Sequence, residues 1–359
     1  MDIRRQVLAG GCKLLHWSGV GTLLAQWTQG AGLIFTLHRV GPRATGPSFR
    51  PNDHLHVTPD FLEATIQQVR AAGLEIVSLS EALDRLDRKD PGDRRFAAFT
   101  FDDGYRDNLV HAYPVLKRHG VPFTIFVASG FIDRTSEIWW EAIERIVCEG
   151  TEIEVPVGST MTTLPACTYR EKRQAFIHLL HWFTRELGEA SQRLEMRRLA
   201  ERHGLDLAAL ADELMLTWDE LRELRRDPLF TVGAHTHDHF ALARMTDTGM
   251  REDIARGLER LEAELGVRPE VFAYPYGYEA AVNSHSAEVV GEFGFRAAVT
   301  TSPGMLHADD ARLALPRVSL NGYFQNRDIV AQYLTGAPFP LYNAAHWLRQ
   351  RLTPQWSSV

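Results

Sequence analysis

Two adjacent carboxylates, Asp102 and Asp103, follow the apolar run RFAAFTF (95–101) and precede Gly104. A buried strand that ends in charge must give each carboxylate a cation or a proton, because an unpaired buried charge is costly. Much later, LFTVGAH (229–235) runs into His235-Thr236-His237-Asp238-His239, and VFA (271–273) runs into Tyr274-Pro275-Tyr276-Gly277. His235 and His239 are four residues apart, so a helical turn after the strand puts both imidazoles on one face, a spacing suited to a single metal ion. A carboxylate from another strand end completes a set of two histidines and one carboxylate, with positions open for water. One aspartate then serves as ligand while its neighbour takes a proton from the attacking water. Plainer readings stand beside this one. The aspartates suit the N-terminal dipole of a helix after Gly104, the histidines read as ordinary loop residues, and His237 reads as a supporting or exposed residue.

The elements that must position these groups alternate. LIFTLHRV (33–40), LEIVSL (74–79), RFAAFTF, PFTIFVA (122–128), LFTVGAH, VFAYPYG (271–277), FRAAVTT (295–301) and LPRVSL (315–320) read as buried strands. Helical patterns lie between them. Thr58-Pro59 is a cap and first-turn proline, with Gly73 as the stop, and Thr217 with Glu220 fits a capping box. Met250, Ile254, Leu258, Leu261 and Leu265 form another stripe, ended by Gly266. Alternation of this kind predicts a parallel α/β sheet, either open or closed into a barrel, and about eight strands favour the (β/α) barrel. From about 133 to 215 the patterns IWWEAIERIV and REKRQAFIHLLHWF predict a helical insertion without a buried strand. The expected organisation is a 1–31 N-terminal segment, a 32–340 barrel and a 341–359 tail.

The totals set limits. The chain has 359 residues, and 39 Lys+Arg against 46 Asp+Glu give −7, so the basic footprint of a nucleic-acid partner is missing. Cys12, Cys148 and Cys167 make no paired framework, which suits a reducing compartment. No run reaches the roughly 18 apolar residues of a membrane span. Leu8, Leu15, Leu23 and Leu24 with Trp17 and Trp27 predict an amphipathic helix that packs on the barrel or lies on a membrane surface. Without a clean signal segment, the expected location is cytoplasmic, peripheral at the inner membrane face through residues 3–27.

Together, TFDDG (100–104), HTHDH (235–239) and YPYG (274–277) resemble the first three motifs of the polysaccharide deacetylases of carbohydrate esterase family 4, the NodB-homology domain, over roughly residues 32 to 325. The resemblance implies a distorted barrel, commonly of seven strands, that removes acetyl groups from sugars with a divalent metal: zinc, or else cobalt, nickel or manganese. It implies Asp102 as general base, Asp103, His235 and His239 as ligands, and the Tyr276 backbone N–H at the oxyanion. Two departures follow. The family arginine that opens the third motif is replaced by Ala273, leaving Arg106 and Arg317 as candidate substitutes. The late Leu-x-His acid is missing, and His38, at a strand end in an N-terminal position that some members use, is its expected replacement. Trp139 and Trp140 are core residues or sugar-stacking platforms. An N-acetylated glycan or glycolipid is the expected substrate; a glycan-binding protein that has lost turnover, or a hydrolase of non-sugar amides, is the alternative.

Overall fold

The computed structural model describes residues 3–43, 49–88, 94–157 and 160–344. Eight strands form one sheet in which every pairing is parallel. Seven make a continuous row: Ala297–Val299, Val271–Ala273, Phe230–Ala234, Phe123–Val127, Phe96–Phe101, Gly32–Leu37 and Val318–Ser319. Glu75–Ile76 pairs off this path beside Phe96–Phe101. A parallel bridge between Val299 and Leu315 ties the approach to the last strand back to the far edge, so the sheet curls into the expected distorted barrel.

Strand periodicity explains two cores. Leu33, Phe35 and Leu37, with Ala97, Phe99 and Phe101, face outward under the helices, whereas Ile34, Phe96, Ala98, Phe126, Ala273 and Val299 fill the inside. Both faces are covered, which is why FAAFTF and GLIFTL are buried along their whole length. The interior is tight at Gly233, where an added Cβ would stand 2.3 Å from the Phe126 ring. Towards the carboxyl ends of the strands this filling turns polar, with Thr36, Thr100, Asp102 and Arg317 all buried.

The helices follow their punctuation. Thr58 accepts from the Phe61 N–H and caps Pro59–Ala71, and the Thr217–Glu220 capping box opens Trp218–Leu224. The insertion differs from expectation. Besides the Trp139–Glu149, Tyr169–His181 and Glu189–Arg202 helices it contains an antiparallel hairpin, Glu152–Val157 with Thr160–Pro165. Ile153 and Val155 bury one face of that hairpin while Thr160–Thr163 stay exposed.

At the N-terminus, two helices, Ile3–Trp17 and Val20–Thr28, dock on Arg327–Thr335. Thr28 Oγ1 donates to Thr335 O at 2.7 Å, and Gly21 is pressed against Gln332. Of the expected 341–359 tail, only residues up to 344 lie within the described part.

Candidate active site

Asp102 leaves the end of the Phe96–Phe101 strand pointing into the polar top of the barrel. Arg317 meets it there with both terminal nitrogens, Nη1 to Oδ1 and Nη2 to Oδ2, each at 2.7 Å. The guanidinium is itself held by Thr300 O at 2.8 Å and Thr100 Oγ1 at 3.1 Å. Thr36 Oγ1 adds a donor to Asp102 at 3.3 Å. Burial alone would raise the Asp102 pKa; the charge and hydrogen bonds of Arg317 outweigh it and hold the carboxyl below its ordinary range. Of the two arginines expected to stand in for Ala273, Arg317 is thus the one that pairs with Asp102. Arg106, the other candidate, turns away to Glu220 and Asp212 O. Ala273 contributes only its carbonyl.

That carbonyl orients His235. Nδ1 lies 2.7 Å from Ala273 O, and because a carbonyl only accepts, Nδ1 must carry a proton, which leaves Nε2 as the nitrogen that faces Asp103. His235 Nε2 and His239 Nε2 stand 3.4 and 3.2 Å from Asp103 Oδ1, and the three residues offer atoms all within 4.8 Å of one another. The expected convergence is present, but not by a helical turn. The 235–239 segment is an irregular loop in which Thr236 and His239 adopt left-handed backbone at φ 63° and 57°. Asp103 (φ 76°) and Tyr276 (φ 62°) do the same, so among the described residues four of the five non-glycine residues with positive φ lie in the site. Such conformations persist only where surrounding contacts enforce them.

Those contacts come from behind the loop. Asp253, on the Asp247–Leu265 helix, accepts from the His237 N–H at 3.1 Å and the Asp238 N–H at 2.7 Å. One turn on, Gly257 lets the helix backbone pass so close that a Cβ would lie 2.6 Å from the Thr236 carbonyl carbon. Arg193 reaches Asp238 O and His239 O from the insertion. His237 is turned away from the convergence point, with Nδ1 2.7 Å from Ser129 Oγ; it is a buried supporting residue, not an exposed one.

The donor set fits a divalent cation. Asp103 Oδ1 is buried without a hydrogen-bond partner, and two imidazole nitrogens face it at 3.4 and 3.2 Å, the oxygen and nitrogen donors a divalent cation takes. Burial pushes His239 down to about 4, so the imidazole is in the neutral form a metal requires. Burial would raise Asp103, but its two imidazole neighbours hold it well below the usual carboxylate range.

Above this floor opens a cleft of about 810 Å³ that also takes in His38, Trp139, Trp140, Tyr276 and Thr301. His38 follows the Gly32–Leu37 strand and lies near enough to act electrostatically on both aspartates. Trp139 and Trp140 are packed as well as cleft-lining: Trp139 stacks on Phe183 and donates to Tyr276 Oη at 2.9 Å, and Trp140 donates to Tyr105 Oη at 2.8 Å. Among the described residues nothing accepts from the Tyr276 backbone N–H.

A family model for polysaccharide deacetylases matches residues 89–178 and 181–298, more than half of the chain and both halves of the site. The chain belongs to the polysaccharide deacetylase family. It is also similar to YxkH of Bacillus subtilis (strain 168), described as a polysaccharide deacetylase, with 30% identity over 107 residues, 30% of this chain and 38% of that relative. The chain thus matches well under half of that relative's length. Among solved structures, IcaB from Ammonifex degensii aligns with a TM-score of 0.53 at 20% identity, over 86% of this chain and 97% of its own. The deacetylase PplD of Streptococcus pyogenes, solved with acetate, gives 0.52 at 16%, over 81% and 92%. At such identities these likenesses speak for the fold of the deacetylase, which is the NodB type.

Proposed function

We propose that this deacetylase is a metal-dependent hydrolase of acetamido groups on a glycan or glycolipid, of the N-acetylglucosamine type. The observation that carries the reading is the convergence of Asp103, His235 and His239 beside an Asp102 ionised by Arg317. A divalent cation, zinc or else cobalt, nickel or manganese, held by those three residues would polarise the acetyl carbonyl and acidify the attacking water. Asp102, fixed by Arg317 and Thr36, accepts the proton from that water. The Tyr276 backbone N–H donates to the oxyanion, and His38 protonates the departing nitrogen. The Arg317 pair restores what Ala273 had put in doubt and favours turnover over binding alone.

The test is acetate release from N-acetylglucosamine oligomers by the metal-loaded protein, with a non-sugar acetamide in parallel. Wild type should turn over the sugar, and His38→Gln should lower kcat by about 10²–10⁴-fold. Preference for the non-sugar amide would replace the substrate reading, and an unimpaired His38→Gln would remove His38 from the proton path.

The reading extends to location: the protein works peripherally on an anionic membrane surface. Residues 3–31 contain Arg4, Arg5 and Lys13 and no acid, in a chain of net −7. The docked N-terminal helices leave Leu14, Trp17, Val20, Leu23 and Trp27 exposed, the two tryptophans at 80% and 72%. Exposed amphipathic rings on a segment whose sequence carries cations and no acid suit an anionic lipid interface. None of the described helices is long and apolar enough to cross a membrane. Sedimentation with vesicles containing anionic lipid should carry the protein down, less at high salt, and Trp17→Ser/Trp27→Ser should weaken partitioning at least about tenfold. Equal sedimentation of wild type and variant would refute this, as would a concentration-dependent dimer covering the same face.

A further inference from the structure

The cleft above the acid and the histidines is lined unevenly. Its outer wall is one face of the Tyr169–His181 helix, from which the buried Phe176 and the exposed Tyr169, Arg173, Ile177 and Leu180 reach the cleft; the four exposed residues are spaced by four, four and three, so they form a single stripe. The opposite face of the same helix, Ala175 and Leu179, is buried in the insertion. Folding therefore accounts for that face and for Phe176, and leaves the exposed stripe without a structural task. Tyr169, Ile177 and Leu180 are 66%, 48% and 36% exposed, and they line the same cavity as Asp102 and His239. Phe49 continues the wall, edge-on to Tyr169 and Phe176.

Single exposed apolar side chains are ordinary; several aligned inside a reactive cleft mark a ligand surface. A second sugar is a poor occupant for this wall, since Ile177 and Leu180 offer nothing to a ring of hydroxyls, and burying hydroxyls without partners is costly. Arg173 sits within the stripe, exposed, and has no ion-pair or hydrogen-bond partner among the described residues. A free guanidinium bordered by apolar groups suits an anion with a chain attached, because its planar fork binds phosphate oxygens while its neighbours take hydrocarbon.

Building on the deacetylase reading, we infer that the substrate is an amphiphile: an acetamido sugar joined through a phosphate ester to a long apolar chain. The acetyl group lies over Asp103, the phosphate meets Arg173, and the first part of the chain runs along Ile177, Leu180 and Phe49.

The test compares two probes with the full-length, metal-loaded protein, both below any micelle concentration: N-acetylglucosamine 1-(dodecyl phosphate) and N-acetylglucosamine 1-(methyl phosphate). Burial of even two or three methylenes predicts a kcat/KM ratio on the order of 10- to 100-fold in favour of the dodecyl ester. In Ile177→Ser/Leu180→Ser the ratio should fall towards one, and Arg173→Gln should raise KM for both phosphate esters relative to neutral dodecyl N-acetylglucosaminide. Equal kcat/KM for the two chain lengths, or an unchanged ratio in the serine variant, overturns the inference. If no acetylated sugar at all is hydrolysed, the deacetylase reading fails instead. The inference is then decided by calorimetric binding of the same probes, where the dodecyl ester must bind wild type at least tenfold tighter than the methyl ester and lose that advantage in the serine variant.

Discussion

Replacing Arg317 by methionine is expected to destabilise the protein by about 3–5 kcal/mol and to lower kcat/KM by about 10²–10⁴-fold. Arg317 is fully buried and Asp102 nearly so, and among the described residues each is the other's only counter-charge within direct contact. Removing the guanidinium leaves the carboxylate in the low-dielectric top of the barrel with Thr36 as a weak substitute. The sign of the pH effect follows. In wild type the Asp102 pKa is depressed, so the pair's stabilisation is present above the ordinary carboxylate range and is lost as pH falls through the lowered value. In Arg317→Met burial prevails, the pKa rises, and the acid limb of the activity profile moves to higher pH. A double variant, Arg317→Met with Asp102→Asn, should recover much of the stability and none of the turnover, because an amide needs no counter-charge but accepts no proton. Urea unfolding and acetate release on the wild type and these two variants separate these effects. An Arg317→Met protein as stable and as active as wild type would remove the arginine from the account.

The legible parts of this protein were those in which one physical requirement dominates a short segment. Strands covered on both faces must be apolar throughout, so 33–40, 95–101 and 122–128 were readable without tertiary information. The hairpin at 152–165 was missed because its outer strand is exposed and rich in threonine; the signal was the alternation that places Ile153 and Val155 on one face. His235 and His239 do come together, but for a different geometric reason, since left-handed bends at Thr236 and His239 take the place of the helical turn that their spacing suggests. Arg317 and Arg106 could not be ranked from the chain alone; the difference between them is which strand lies beside Asp102, a matter of closure. Asp253 and Gly257 were invisible for a further reason. They sit within a helix whose apolar stripe explains its pattern, and only the helix's approach to the 235–239 loop shows that one supplies an acceptor and the other supplies room.

Substituting Asp103 by asparagine should abolish stoichiometric metal retention and reduce acetate release to background, while leaving the fold nearly as stable as the wild-type protein without metal. The choice of asparagine matters. Residue 103 stands at φ 76°, a region in which Asn and Asp are tolerated and most other side chains are not, so Asp103→Ala would add a backbone cost of about 1–2 kcal/mol to the loss of the ligand. Asp103→Asn keeps the shape and the conformation and removes the charge. Without that charge the site has two imidazoles and no anion facing a divalent ion, and affinity should drop by more than the 10–100-fold typical of losing a supporting contact. The readout need not depend on catalysis. A ligand that binds only the folded state stabilises it by about 2.7 kcal/mol at a hundred times its dissociation constant, so chelation should lower the melting temperature of wild type and leave that of Asp103→Asn unmoved. Metal analysis of the two proteins, purified alike, gives the same answer by a second route. Retention of one equivalent of metal and of turnover by Asp103→Asn would show that the convergence of Asp103, His235 and His239 is not what holds the cation, and the hydrolytic reading would have to find its electrophile elsewhere.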